Sequence, residues 1–330
     1  MIRRRTLLVS TTVAGAGLAA PAVWAQPRNP SWPRAITMGT AAPGGTYAVY
    51  GPAWGQLAAA ATGVNISYRT TQGPNQNIVL VDQKQVELGM VTMGVALQAW
   101  NGQGEWTRGN KFRNIRALFP MYDTPFHAVA LKRSGISNIE QLNGRSVGVG
   151  PRGGTPGTYW PLIFRALNVT PSRIGFGSGS DMIGQVSDGL LDCFAFAAGV
   201  PIPAFSEIET TNEVTIFGFT EAQMATVVKA LPELSKGTIP AGTYRSVQGP
   251  INILGVYNFA IGHKDLPEDL VYEIVKAIMT QNAALVQAIS TARETVPENV
   301  TKNTFLPFHP GAARWFRENG HPIPDNLIMA

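Results

Sequence analysis

Strand-length apolar runs alternate with helix-length amphipathic segments along this chain, and glycine or proline stands at most of the junctions. Ala35-Ile-Thr-Met-Gly39 alternates with period two, and Thr46 stands where it would cap a helix whose apolar face carries Val49, Ala53 and Leu57. Val64 to Tyr68 reads as a second strand, Asn75 to Gln83 as a helix and Val86 to Thr92 as a third strand. Repeated strand–helix alternation predicts an α/β fold with a mostly parallel sheet covered by helices. A second such set begins at Val147–Gly150 and runs through a helix from Trp160 to Leu167 and a strand from Asp192 to Ala197. Two similar lobes are the simplest account.

Two strands flank the middle block: His127–Leu131 and Gly255–Ile261 read as the connections crossing between lobes. The expected division is therefore 34–131 with 255–330 for lobe one and 132–254 for lobe two. Asp265 and Glu268 have capping-box spacing ahead of a helix whose stripe Leu270, Ile274 and Ile278 returns to lobe one. A composition of 45% hydrophobic and 14% charged residues over 330 positions suffices for two cores of ordinary size.

The first 25 residues read as a signal peptide. Arg3–Arg5 precede an uncharged stretch, Thr6 to Ala20, and Val23-Trp24-Ala25 offers small residues for cleavage after Ala25. The apolar run is shorter than the roughly 20 residues of a spanning helix. Arg4-Arg5-Thr6-Leu7-Leu8 also has a twin-arginine shape, so the export route stays open. Residues 26–33 form a polar, proline-rich spacer. The formal charge of +5 falls to +2 once the three leader arginines are removed, which is no nucleic-acid signature. The single cysteine, Cys193, lies in an apolar strand pattern and reads as core.

Enzyme motifs fail on context. Gly144-x-Ser146-x-Gly148 has the spacing of a nucleophile elbow, but Ser146 starts a strand instead of ending one. The dinucleotide-like Gly148-x-Gly150-x-x-Gly153 has no Asp or Glu between 151 and 180 to hold a ribose. The four histidines are dispersed, so neither a metal nor a cofactor is expected. Two glycine-rich strand-to-helix loops survive, Pro43–Tyr47 and Arg152–Thr158, the second including Thr155. Amides at helix starts favour anions, so two such loops facing across a cleft suggest carboxylate capture, with Arg152 as the charged anchor.

Several motifs stand in an order that resembles the TAXI family, the solute receptors of one class of TRAP transporters. They are Gly39–Tyr47, Thr71–Asn77, Val86–Gly89, Ala198–Pro203, Ile239–Tyr244, Asp265–Leu270 and His309–Arg314. The resemblance implies a two-lobed periplasmic-binding-protein fold of type II with a hinge between the lobes. It also implies a ligand such as glutamate, a 2-oxo acid or a dicarboxylate, and delivery to a TRAP membrane subunit. Carried over by position, Gly45, Thr46 and Tyr47 would contact ligand from lobe one, and Gly157 and Thr158 from lobe two. Thr155, in the second glycine-rich loop, and Gly199, inside the matching segment Ala198–Pro203, complete the set with Gln76 and Thr92. The last two mark departures: Gln76 stands where the family commonly has Glu, and Thr92-Met93-Gly94 where it has Gln-Ser-Asp. With no negative charge there, an amine-free ligand is expected over an α-amino acid. The expectation is a monomeric periplasmic binding protein that is not an enzyme, with a sensor-kinase subunit or an enzyme on the same scaffold as the alternatives.

Overall fold

The structure, a computed structural model, describes residues 29–328. The expected signal peptide and the first residues of the spacer lie outside the described residues. Among these, no helix is long and apolar enough to cross a membrane.

In chain order the strands are β1 (Ala35–Gly39), β2 (Asn65–Arg69), β3 (Leu88–Thr92), β4 (Ile115–Asp123), β5 (Phe126–Leu131), β6 (Ser146–Gly148), β7 (Arg173–Gly175), β8 (Cys193–Ala197), β9 (Val214–Phe217), β10 (Ser235–Ile239), β11 (Ile251–Gly255) and β12 (Tyr257–His263). The helices are α1 (Tyr47–Thr62), α2 (Pro74–Asp82), α3 (Met93–Asn101), α4 (Thr155–Ala166), α5 (Gly179–Ser187), α6 (Pro203–Thr211), α7 (Glu221–Ala230), α8 (Glu268–Thr280), α9 (Asn282–Ala288) and α10 (Pro310–Glu318).

Two sheets result. The first has the order β2-β1-β3-β12-β4, and the second β10-β11-β5-β8-β6-β7 with β9 also paired to β5. Both are mixed, which corrects the expectation of mostly parallel sheets. The strands of each β–α series pair in parallel, β2-β1-β3 and β7-β6-β8. The strands that enter from the other sheet run antiparallel: β12 against β3 and β4, and β5 against β8, β9 and β11.

The crossings differ from the expected boundaries. All of Phe126–Leu131 pairs inside the second sheet, so the chain leaves the first sheet at Thr124–Pro125 and not after Leu131. It returns at Val256, between β11 and β12. The two crossings are tied together: the Thr124 N–H donates to the Val256 carbonyl at 3.0 Å. The Val256 N–H donates back to Thr124 at 3.4 Å. A pair of short antiparallel connections is the geometry of a hinge, because few dihedrals have to absorb a relative rotation.

Cores form on both sides. Leu270, Ile274 and Ile278 of α8 are fully buried as their spacing predicts, and α8 packs on α1 and α10 over the first sheet. Asp265 does not cap that helix; Pro267 occupies the cap position, and Asp265 pairs with Lys84 at 2.5 Å. Cys193 is buried in β8 beside Phe194, which stacks near Phe196 and Phe205 under the second sheet.

Candidate ligand-binding site

Between the sheets lies a cavity of about 50 Å³. That is several times the roughly 10–15 Å³ that one water needs. Its position follows from the β–α rule: chains leaving the carboxyl ends of the strands turn here into helices, so helix starts collect at the crevice. Five contribute to its walls: Thr46 and Tyr47 at α1, Gly73 and Pro74 at α2, Thr92 at α3, Gly154 and Thr155 at α4, and Gly179 at α5. The first-turn amides of a helix have no intrahelical partner and carry its positive end. On α1 to α4 no side chain caps them. Thr46, expected as a cap, instead donates from its Oγ1 to the Gly199 carbonyl at 2.7 Å, joining the two halves.

No charged side chain lines the cavity. Its polar side chains are hydroxyls and the amides of Gln72 and Asn258, mostly committed to other protein groups. Tyr47 donates to Asn258 Oδ1 at 2.5 Å, and Asn258 Nδ2 donates to Thr124 Oγ1 and to the Tyr122 carbonyl. Thr92 and Thr155 share a hydroxyl–hydroxyl bond of 2.9 Å across the halves. That bond uses one of two protons and leaves the other for a ligand. Tyr122 is the exception. It is fully buried, and among the described residues its hydroxyl has no hydrogen-bond partner. Burial, reinforced by Tyr47 and Tyr50, raises its pKa well above the usual phenol value, so it stays a neutral donor. The rest of the wall is apolar, chiefly Ala41, Ala42, Phe196, Ala197 and Ala198.

The halves are closed on one another around this space. Gly179 N–H donates to the Pro43 carbonyl at 3.0 Å, and Asn75 N–H to the Gly153 carbonyl at 3.2 Å. Gln72 Oε1 accepts from Gly153 N–H at 3.2 Å.

Of the residues singled out in the sequence, the cavity brings together Gly45, Thr46, Tyr47, Thr92 and Thr155. The others lie elsewhere. Arg152 turns out of the cavity, with its guanidinium carbon 3.8 Å from the ring centre of Phe176, in an outer groove with Arg108, Trp106 and Arg165. The loop places Pro151 and Gly154 at the cavity and Arg152 between them on the far side. Gln76 closes a turn, its Oε1 accepting from Gln72 N–H at 2.8 Å, and does not face a ligand amine. Thr158 bonds Asn75 and the Gly154 carbonyl. Gly157 leaves room for the Pro151 carbonyl, and Gly199 lies against Tyr122 and Thr291. Tyr122, Thr124, Phe196, Asn258 and Gly179 are additions the sequence reading lacks. Only Gly179 carried a usable signal: Gly175–Ser180 is a third glycine-rich stretch leading into a helix. Among the described residues no group of three or more His, Cys, Asp or Glu is placed to hold a metal.

A family model, described as NMT1-like, matches residues 38–320, from β1 to just past α10. The chain belongs to the NMT1-like family. Among solved structures, this NMT1-like protein resembles the periplasmic binding protein BugD at 13% identity, with 88% of this chain and 99% of that one covered and a TM-score of 0.55. That likeness is one of fold, and it makes the two-sheet architecture a type II periplasmic-binding fold. A glutamate-bound GluR0 ligand-binding core from Nostoc punctiforme is also 13% identical, over 78% of this chain and 99% of that one, at a TM-score of 0.48. The substrate-binding protein of an amino acid ABC transporter matches at 10% identity, over 78% and 98%, at 0.47. Both fall too low to carry weight beyond the BugD match.

Proposed function

We propose that this NMT1-like protein is an extracytoplasmic solute receptor and not an enzyme. Exported by its N-terminal segment, it works as a periplasmic monomer. It captures a small carboxylate between two hinged lobes and hands it to a membrane transporter. The observation that carries the reading is the convergence of five helix starts on an interlobe cavity with no charged side chain. An anion there is held by amides and hydroxyls and needs no counter-ion. Lining by threonine, tyrosine, asparagine and glutamine, with no acid or histidine, supports binding over catalysis, since no group is present to move a proton at neutral pH. The motif order resembling TAXI receptors favours a TRAP-type partner, and the fold it shares with BugD accords with a receptor role.

The test is a thermal-shift screen of the protein from residue 26 onward against 2-oxo acids, dicarboxylates, glutamate, sugars and polyamines. Binding to the folded state raises Tm by mass action. At least one carboxylate is expected to raise Tm in a saturable way. Stabilisation by sugars or polyamines alone would refute the reading.

A further inference from the structure

The outer groove that receives Arg152 is built by both halves. Trp106 and Arg108, in the segment after α3, form one wall; Arg152, with Leu162 and Arg165 of α4 and with Phe176 after β7, forms the other, around a space of about 600 Å³. Trp106, Leu162 and Phe176 are half-buried, whereas the three arginines are exposed. Among the described residues none of the three forms an ion pair. Glu105 is the one acid on the lining, which leaves a surplus of two positive charges. Several of these groups are held in place. The Arg152 guanidinium stands over the Phe176 ring at 3.8 Å, with no carboxylate on its N–H groups. The Trp106 ring stacks on Phe112 with centres 5.8 Å apart, and its Nε1 donates to Gln98 Oε1 at 2.8 Å. Gln98 Nε2 in turn donates at 3.4 Å to Tyr159 Oη of α4, a bond that crosses between the halves. Opening the lobes would part the two walls, so the groove exists as one surface only in the closed form.

We propose that this groove is the docking surface for the membrane subunit and that it receives an acidic segment of that partner. This rests on the proposed receptor function and adds the surface by which a closed, loaded receptor differs from an open one. The chemistry is complementary: guanidinium groups pair with carboxylates in a planar, two-bond geometry, and arginine clusters are a recurring means of recognising acidic segments. Tryptophan and arginine are also the residues that most often dominate the energetics of protein interfaces, around an apolar centre such as Trp106, Leu162 and Phe176 provide. A flat anionic bilayer would reach the exposed arginines but not the half-buried apolar lining between the walls, which favours a protein segment.

The test is photo-crosslinking in cells that make the protein and its transporter. A benzophenone amino acid replaces Glu105, exposed on the groove, or Leu190, which is 62% exposed and lies off it. From position 105 a crosslink is expected to a multi-spanning membrane protein, within a peptide that contains Asp or Glu; from position 190 none is expected. Arg152→Ala and Arg165→Ala together should lower that crosslink at least about tenfold, as the loss of two charge-assisted contacts implies. The purified double variant should still bind the tightest carboxylate of the thermal-shift screen within about twofold of wild type, because neither side chain lines the cavity. Crosslinking to no membrane protein, equal crosslinking from both positions, or a crosslink that survives the double substitution overturns the proposal. Loss of carboxylate binding in the double variant overturns it as well, by assigning the groove to the ligand. Cosedimentation of wild type with phosphatidylglycerol vesicles that the double variant loses would assign the groove to lipid and overturn it too. Failure of every carboxylate to bind removes the receptor reading, and the crosslink alone then decides whether the groove is a docking surface.

Discussion

Closure of the cleft can be tested at Gly179, where the two halves touch backbone to backbone. A Cβ on this residue would lie 2.9 Å from the Gly44 carbonyl carbon, 3.0 Å from its oxygen and 3.1 Å from its Cα. These are main-chain atoms on the opposite half, so no side chain can swing aside. Gly179 itself has no positive φ, and alanine there is unstrained in an open arrangement. The added methyl therefore penalises only the closed state. Overpacking by one methyl group costs about 1–3 kcal/mol. For a ligand held only by the closed state, apparent affinity falls by the same free energy, about 5- to 150-fold. Calorimetry with the tightest carboxylate of the thermal-shift screen reads this directly. The melting temperature of the ligand-free variant should stay within about 2 °C of wild type, as expected when only an interlobe contact changes. Wild-type affinity in Gly179→Ala would refute the reasoning, since it would mean that the ligand binds without this contact forming.

Two further outcomes follow from the same geometry. Arg152→Ala should bind the ligand within a factor of two of wild type by calorimetry, because the guanidinium stacks on Phe176 outside the cavity; a tenfold loss would return Arg152 to the site. Asp123, at the end of β4 beside the hinge, has its pKa raised from 3.8 to about 6, chiefly by burial, with Glu294 adding to the rise and the Thr124 N–H opposing it. A carboxyl pKa higher in the folded state contributes stability that is present below about pH 4 and lost as pH rises through 6. Wild type should thus lose more melting temperature between pH 5 and 7.5 than Asp123→Asn, whose amide oxygen can still accept from Thr124; parallel melting curves would contradict this.

Much of the fold was legible because its signals are local. The period-two strands, the glycine junctions and the Leu270–Ile274–Ile278 stripe each depend on a few neighbouring residues, and they appear where the sequence puts them. The mixed sheets were hidden because the direction of β5 and β12 is set by partners more than 60 residues away along the chain. The site divides the same way. Glycine-rich helix starts announced Gly45, Thr46 and Thr155, whereas spacing says nothing of which way a loop side chain points, and Arg152 points outward. Tyr122 is the last-but-one residue of a strand buried on both faces, so no alternation marks it as different from its apolar neighbours. That its hydroxyl lacks a bonding partner is a property of the folded chain alone.

The central claim, a small carboxylate held by helix starts between the lobes, is tested most directly by a crystal structure with the tightest-binding carboxylate. The account predicts the carboxylate in the cavity, its oxygens within about 3.2 Å of first-turn amides. A ligand bound in the outer groove beside Arg152, with only water between the helix starts, would contradict it.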